Sequence, residues 1–330
     1  MSNSLFQWQQ ATWQQLVNAV QKKCLPHALL LVGENGIGKK HFAEILAAAL
    51  LCPEFQKAGQ RCGNCHACHL SDAQTHPDLM RVESEPGHAI KVDQIREVIT
   101  FVNQTALLSG YRVIIIHPAA AMNINAANAL LKTLEESTPD TLLILTSDQS
   151  VNLPATIISR CQRILLKKPT IEQGLDWLKE NVKDNSVDLP LLLSMANGAP
   201  FAALQMLNEG VYTFRQDFYK GLHQLSENQA DPVELAERWQ ENNSKMVLNL
   251  TLSWIRDLLR FKTTHDDTLL CNQDFRQHLV QTSQKFSETH LLDYIDHVQK
   301  INGYVRVGCN LNQRLLFEEL LIKWTYYATC

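Results

Sequence analysis

The chain has 330 residues, more than one core normally serves, so two or three domains are expected. Hydrophobic residues make up 45% of it and charged residues 19%, a globular composition that excludes a disordered or fibrous protein. A formal net charge of -4 argues against a protein that coats nucleic acid by bulk charge, although it leaves room for a local basic patch.

The N-terminus, MSNSLFQWQQ, lacks the basic start and apolar stretch of a secretion signal, and no apolar run is long enough to span a bilayer. A cytoplasmic location without membrane contact is therefore expected. In that compartment nine cysteines do not predict disulfides, and the four crowded between Cys52 and Cys68 point to a metal instead.

In chain order, LFQWQQATWQQLVNAVQ places Leu5, Trp8, Leu16, Val17 and Val20 as the apolar side of an amphipathic helix. HALLLVG is a short buried strand, followed by a glycine loop and the Ala- and Leu-rich helix KKHFAEILAAALL. Beyond the cysteines, PDLMRVE predicts a strand and VDQIREVITFVNQ a helix with Asp93 near its first turn. YRVIIIH and TLLILTS are apolar runs with β-branched residues, as expected for buried strands of a parallel sheet. Between them NINAANALLKTLEES is helical, with Asn at its start and Pro139 soon after its end. QRILLKKP predicts one more strand. Strands alternating with helices make residues 1–168 an α/β domain with a parallel sheet. From Pro169 the pattern is helical only. Short helices in TIEQGLDWLKEN, LPLLLSMANG and PFAALQMLNEG fill a small domain at 169–210. Longer ones, such as MVLNLTLSWIRDLLRF and LNQRLLFEELLIKWTYY, fill 211–330.

LVGENGIGKK satisfies G-x-x-x-x-G-K through Gly33, Gly38 and Lys39, between a strand and a helix as a phosphate loop requires. Glycines let the backbone aim its N–H groups at phosphate, and the following helix adds a favourable dipole end. The residue that should offer a hydroxyl to Mg²⁺ is Lys40, which has no oxygen and whose charge repels the metal. After VIIIHPAA the expected acidic pair is His117 and Pro118, and a neutral imidazole suits Mg²⁺ poorly. His117 reads as a packed histidine at a strand end. Two readings stay open: an inherited loop that holds nothing, which is preferred, or nucleotide binding through Lys39 without hydrolysis.

The spacing Cys52-x9-Cys62-x2-Cys65-x2-Cys68 lets the chain fold around one tetrahedral ion, with Gly63 easing the turn between Cys62 and Cys65. Four thiolates with no open position describe a structural Zn²⁺ site. His66 and His69 are substitute ligands, and an iron–sulfur cluster is the minor alternative.

HALLLVGENGIGKKHFA, the cysteines inserted after the next helix, AANALLKTLEES and ISRC occur in this order in the bacterial clamp loaders, and on these motifs the chain resembles that family. The resemblance implies a P-loop AAA+ domain with an inserted zinc module, a small helical lid domain and an all-α C-terminal collar domain. The family has ATP-hydrolysing and non-hydrolysing subunits. The loss of hydroxyl and acidic pair, together with Phe201 at the place of a phosphate-sensing arginine, implies the second kind. Taken alone, Arg160 reads as a surface salt bridge; the resemblance implies instead that Arg160 of the SRC motif is an arginine finger reaching a neighbouring subunit's ATP, with Ser159 and Cys161 packing the turn that aims it. The implied partners are the ATPase subunits gamma/tau and the delta subunit in a pentameric ring, with the sliding clamp (beta) and primed DNA reached through the complex. The implied role is that of a rigid stator in clamp loading during DNA replication. Leu130, Leu131 and Leu134 read as core, while Lys132, Glu135 and Glu136 read as a solvated face. Leu315, Leu316, Leu320 and Leu321 give the last helix an apolar face for a collar or for an ordinary core. Two other classes remain: an active P-loop ATPase, and a zinc-dependent nucleic-acid-binding repair protein.

Overall fold

Five parallel strands run β1 (Ala28–Gly33), β2 (Leu79–Glu83), β3 (Arg112–His117), β4 (Thr141–Asp148) and β5 (Gln162–Leu165), in the spatial order β2-β3-β4-β1-β5. The computed structural model describes residues 5–84, 88–108, 110–136, 138–148, 153–306 and 311–329. Ser137, the last letter of the AANALLKTLEES motif, lies outside them.

The central strands are apolar over their middle residues, where both faces are covered. On one face Leu29, Leu31, Val113, Ile115, Leu142 and Ile144 pack with Phe42, Leu46 and Leu50 of α2 (Lys39–Leu50) and with Leu16 and Val17 of α1 (Gln10–Gln21). On the other, Leu30, Val32, Ile114, Ile116, Leu143 and Leu145 pack with Ile95 and Val98 of α5 (Val92–Val102) and Leu130 and Leu134 of α6 (Ile124–Glu135). Alternation of successive side chains across the sheet thus yields two cores from one continuous apolar run, each fully buried side chain contributing about 1.5–3 kcal/mol.

The helices begin where local chemistry satisfies their free N–H groups. Asn123 accepts from Ala126 N at 2.8 Å to open α6, and Thr170 and Gln173 form a reciprocal cap on α8 (Ile171–Asn181). The N-terminal segment differs from the single helix predicted over it: Gln7–Gln9 form a 3-10 turn ahead of α1. The cause is tertiary, because the Trp8 side chain leaves the α1 stripe to bond the loop after β1.

The chain divides into two compact units, Met1–Asn185 with Asn197–Ala203, and Ser186–Ala196 with Leu204–Cys330. Among its described residues the second unit is helical, with α9 (Leu189–Met195), the later part of α10 (Pro200–Asn208), α11 (Val211–Ser226), α12 (Pro232–Trp239), α13 (Ser244–Thr264), α14 (Arg276–Ser283), α15 (Glu288–Arg306) and α16 (Gln313–Thr329). Its core stacks Tyr219 on Trp254 at 4.4 Å, and Trp324 Nε1 donates to Leu222 O and Ser226 Oγ. Buried Arg215 pairs with Asp274 and donates to Asn272 Oδ1 at 2.8 Å. Leu316, Leu320 and Leu321 enter this core, whereas Leu315 is exposed. No described helix is long and apolar enough to cross a membrane.

Candidate functional site

β1 delivers the chain to the loop 33–38 beside the end of β4, since Gly33 lies opposite Asp148 in the parallel register. In open α/β sheets the carboxyl ends of the strands are where ligands bind. Gly36, at φ 77°, lies against the segment at Ala202: a Cβ there would come within 2.6 Å of Ala202 N, so only glycine fits. Phe201 N donates to Gly36 O at 3.0 Å.

The lysine of the motif is turned inward. Lys39 is 5% exposed, and its ammonium donates to Gly33 O at 3.1 Å, Glu34 O at 2.6 Å and Asp148 Oδ1 at 2.6 Å. Lys40 pairs with Glu83 at 2.6 Å. Above the loop, Trp8 Nε1 donates to Ile37 O at 3.0 Å and Gln9 Nε2 to Gly38 O at 3.1 Å. Phe6 stacks on Trp8 at 4.9 Å and meets His41 at 4.4 Å and Phe201 at 5.1 Å. Trp177 closes on Phe201 at 4.5 Å. Aromatic rings flank the Ile37–Gly38 end of the loop, Glu34 and Asn35 stay exposed, and Lys39 is neutralised within the chain.

His117 sits half-buried at the end of β3, its Nδ1 within 2.6 Å of Thr146 Oγ1. Burial lowers its pKa, and the nearby charge of Lys40 lowers it further.

The four cysteines converge. Cys52 precedes the short α3 (Pro53–Ala58), and Cys65 caps α4 (His66–Asp72), its Sγ accepting from Cys68 N at 3.4 Å. Cys52–Cys62 sulfurs lie 3.6 Å apart, Cys62–Cys68 3.9 Å and Cys65–Cys52 4.0 Å. A tetrahedral ion with bonds of about 2.3 Å has sulfur–sulfur edges of about 3.8 Å, so this set fits a metal and is far too wide for disulfides. Backbone N–H groups of Asn64 and Cys65 pull the Cys62 thiol down to about 6, while burial pushes Cys68 up to about 12. Arg61 donates to Cys68 O and to Asp72, each at 2.8 Å, tying α4 to the turn. Among the described residues neither His66 nor His69 joins the cluster.

Arg160 stands on the turn between α7 (Ala155–Ile158) and β5, about one-third exposed. Its backbone N–H donates to Ile157 O at 3.1 Å. Its Nη1 donates to Thr156 O at 3.0 Å, and its Nε and Nη2 both go to Glu135 Oε1, the former at 2.8 Å. Ser159 Oγ donates to Thr156 O at 3.1 Å, and Cys161 is buried, its thiol pushed up to about 11 by desolvation. Lys132 is exposed beside Glu136 at 3.9 Å.

Sequence reasoning missed Asp148, Gln9 and the use of Trp8 as a donor. The position of Asp148 at the end of the strand beside β1 was the available signal.

Comparison with known proteins decides the family. Residues 8–170 match the profile described as DNA polymerase III, delta subunit, and residues 192–326 match DNA polymerase III, delta subunit, C terminal. DNA polymerase III subunit delta' of Pseudomonas aeruginosa is 38% identical over 322 residues, covering 97% of each chain. The chain belongs to the DNA polymerase III subunit delta' family. The Haemophilus influenzae member is 30% identical, covering 95% of this chain and 94% of its own length. A solved DNA polymerase III gamma subunit-related protein from Thermotoga maritima aligns with TM-score 0.43 at 19% identity, over 96% of this chain and 99% of that one; a likeness of that size carries no weight here.

Proposed function

We propose that this member of the delta' family is a non-hydrolysing stator of the DNA polymerase III clamp loader. It stands in a ring with gamma/tau ATPase subunits and a delta subunit. There it presents Arg160 to a neighbour's ATP and helps place the sliding clamp on primed DNA. Residues 1–168 serve as the AAA+ domain, 169–210 as its lid and 211–330 as the collar. The observation that supports this reading is the state of the loop's lysines: Lys39 is bound by Gly33, Glu34 and Asp148, and Lys40 pairs with Glu83 at the surface. A loop whose lysines are neutralised internally has little to offer a triphosphate, and neither Lys40, His117 nor Pro118 brings an oxygen ligand for Mg²⁺.

The cysteine module is read as a structural Zn²⁺ site of Cys52, Cys62, Cys65 and Cys68. The ion would supply cross-linking rather than chemistry, since four thiolates leave no open position. Phosphate release by the purified chain with ATP and Mg²⁺ tests the inert reading, and a mass measurement of mixtures with gamma/tau and delta tests the assembly. No turnover and a hetero-oligomer are expected; robust turnover by the chain alone overturns the stator role.

A further inference from the structure

We propose that Glu135 is the parking anion of Arg160: it holds the guanidinium until a neighbour's phosphate displaces it. This rests on the reading of Arg160 as a finger. A guanidinium offers five N–H donors in one rigid plane. Here the Nε and Nη2 edge is spent on Glu135 Oε1, and Nη1 on Thr156 O. That Nε–Nη2 edge is one a guanidinium uses to grip a carboxylate or a phosphate through two N–H groups. While parked, Arg160 cannot also use it on a phosphoryl oxygen, so engagement is an exchange of one anion for another.

Glu135 is not the brace of the turn. Arg160 N bonds Ile157 O, Ser159 N bonds Ala155 O at 2.9 Å, and Ile157 and Cys161 are buried on either side. Ser159 Oγ adds a bond to Thr156 O, so the turn has backbone and side-chain ties that do not involve Glu135. Glu135 is the last residue of α6, where the helix presents its negative end and Glu136 adds a second carboxylate. A carboxylate there gains from a nearby cation, which draws Arg160 onto it. Both partners are partly exposed, at 32% and 52%, so the pair is weak enough to exchange.

The test is a double-mutant cycle of Glu135→Gln and Arg160→Ala in the reconstituted complex, with kcat and KM for ATP read separately. Removing the competing charge raises kcat/KM by about two- to fivefold, mainly through KM. In the Arg160→Ala background the same change does nothing. A Glu135→Gln complex with unchanged or lowered kcat/KM overturns the parking role, as does an equal gain in both backgrounds. If Arg160→Ala itself leaves hydrolysis untouched, the finger reading fails and the parking role with it.

Discussion

Lys39 and Asp148, 109 positions apart in the chain, meet at 2.6 Å because β1 and β4 are neighbours that end together. The pair turns a phosphate-loop lysine into a structural cation. Asp148→Asn removes the counter-charge from an ammonium that is almost wholly buried. Because Asp148 is itself 37% exposed, the loss is smaller than for a fully buried pair, about 1–2 kcal/mol. A lowered urea midpoint with unchanged slope is the expected result.

On the proposed Zn²⁺ reading, Cys65→Ser removes one of four ligands as well as the sulfur that caps α4. The variant is then expected to bind less zinc than the native protein and to become protease-sensitive within residues 52–72 while the sheet stays folded. Structural zinc in small modules contributes about 10–16 kcal/mol, so chelation of the native protein should reproduce the same local opening. Elemental analysis with limited proteolysis checks both.

His117 gives a pH dependence of known sign. Its pKa is lowered in the fold by burial, so between the ordinary histidine value and the lowered one the unfolded chain binds the extra proton. Stability is therefore complete above about pH 6.5 and declines as pH falls toward the folded value. His117→Gln should flatten part of that decline in thermal melts between pH 7.5 and 5.5.

Trp324 is fully buried in the helical unit and bonds Leu222 and Ser226. Trp324→Ala leaves a cavity and removes the indole donor, while Ser226 Oγ still donates to Leu222 O, an expected loss of about 3–5 kcal/mol dominated by the cavity. Denaturant unfolding followed by circular dichroism measures it.

The sheet was legible because β1, β3 and β4 are apolar on both faces, a pattern of adjacent residues. The cysteine cluster was legible because metal geometry constrains spacing along the chain. The bonds that hold the loop's end were not. Trp8 and Gln9 bond backbone carbonyls of residues 37 and 38, and an acceptor that every residue carries leaves no sequence signature. The 3-10 turn at Gln7–Gln9 was missed for the same reason, since a long-range bond overrode the local helical pattern. The exposure of Leu315 was equally hidden, because its spacing on α16 suits a core and only the packing excludes it.

Arg160 carries the central claim, and ATP hydrolysis by the reconstituted clamp loader containing Arg160→Ala tests it most directly. The variant should fold and assemble normally. A finger is worth about 10³-fold or more at the site it serves, so the hydrolysis that depends on that one site should disappear. A complex that assembles with Arg160→Ala and hydrolyses ATP at the unaltered rate would contradict the finger role.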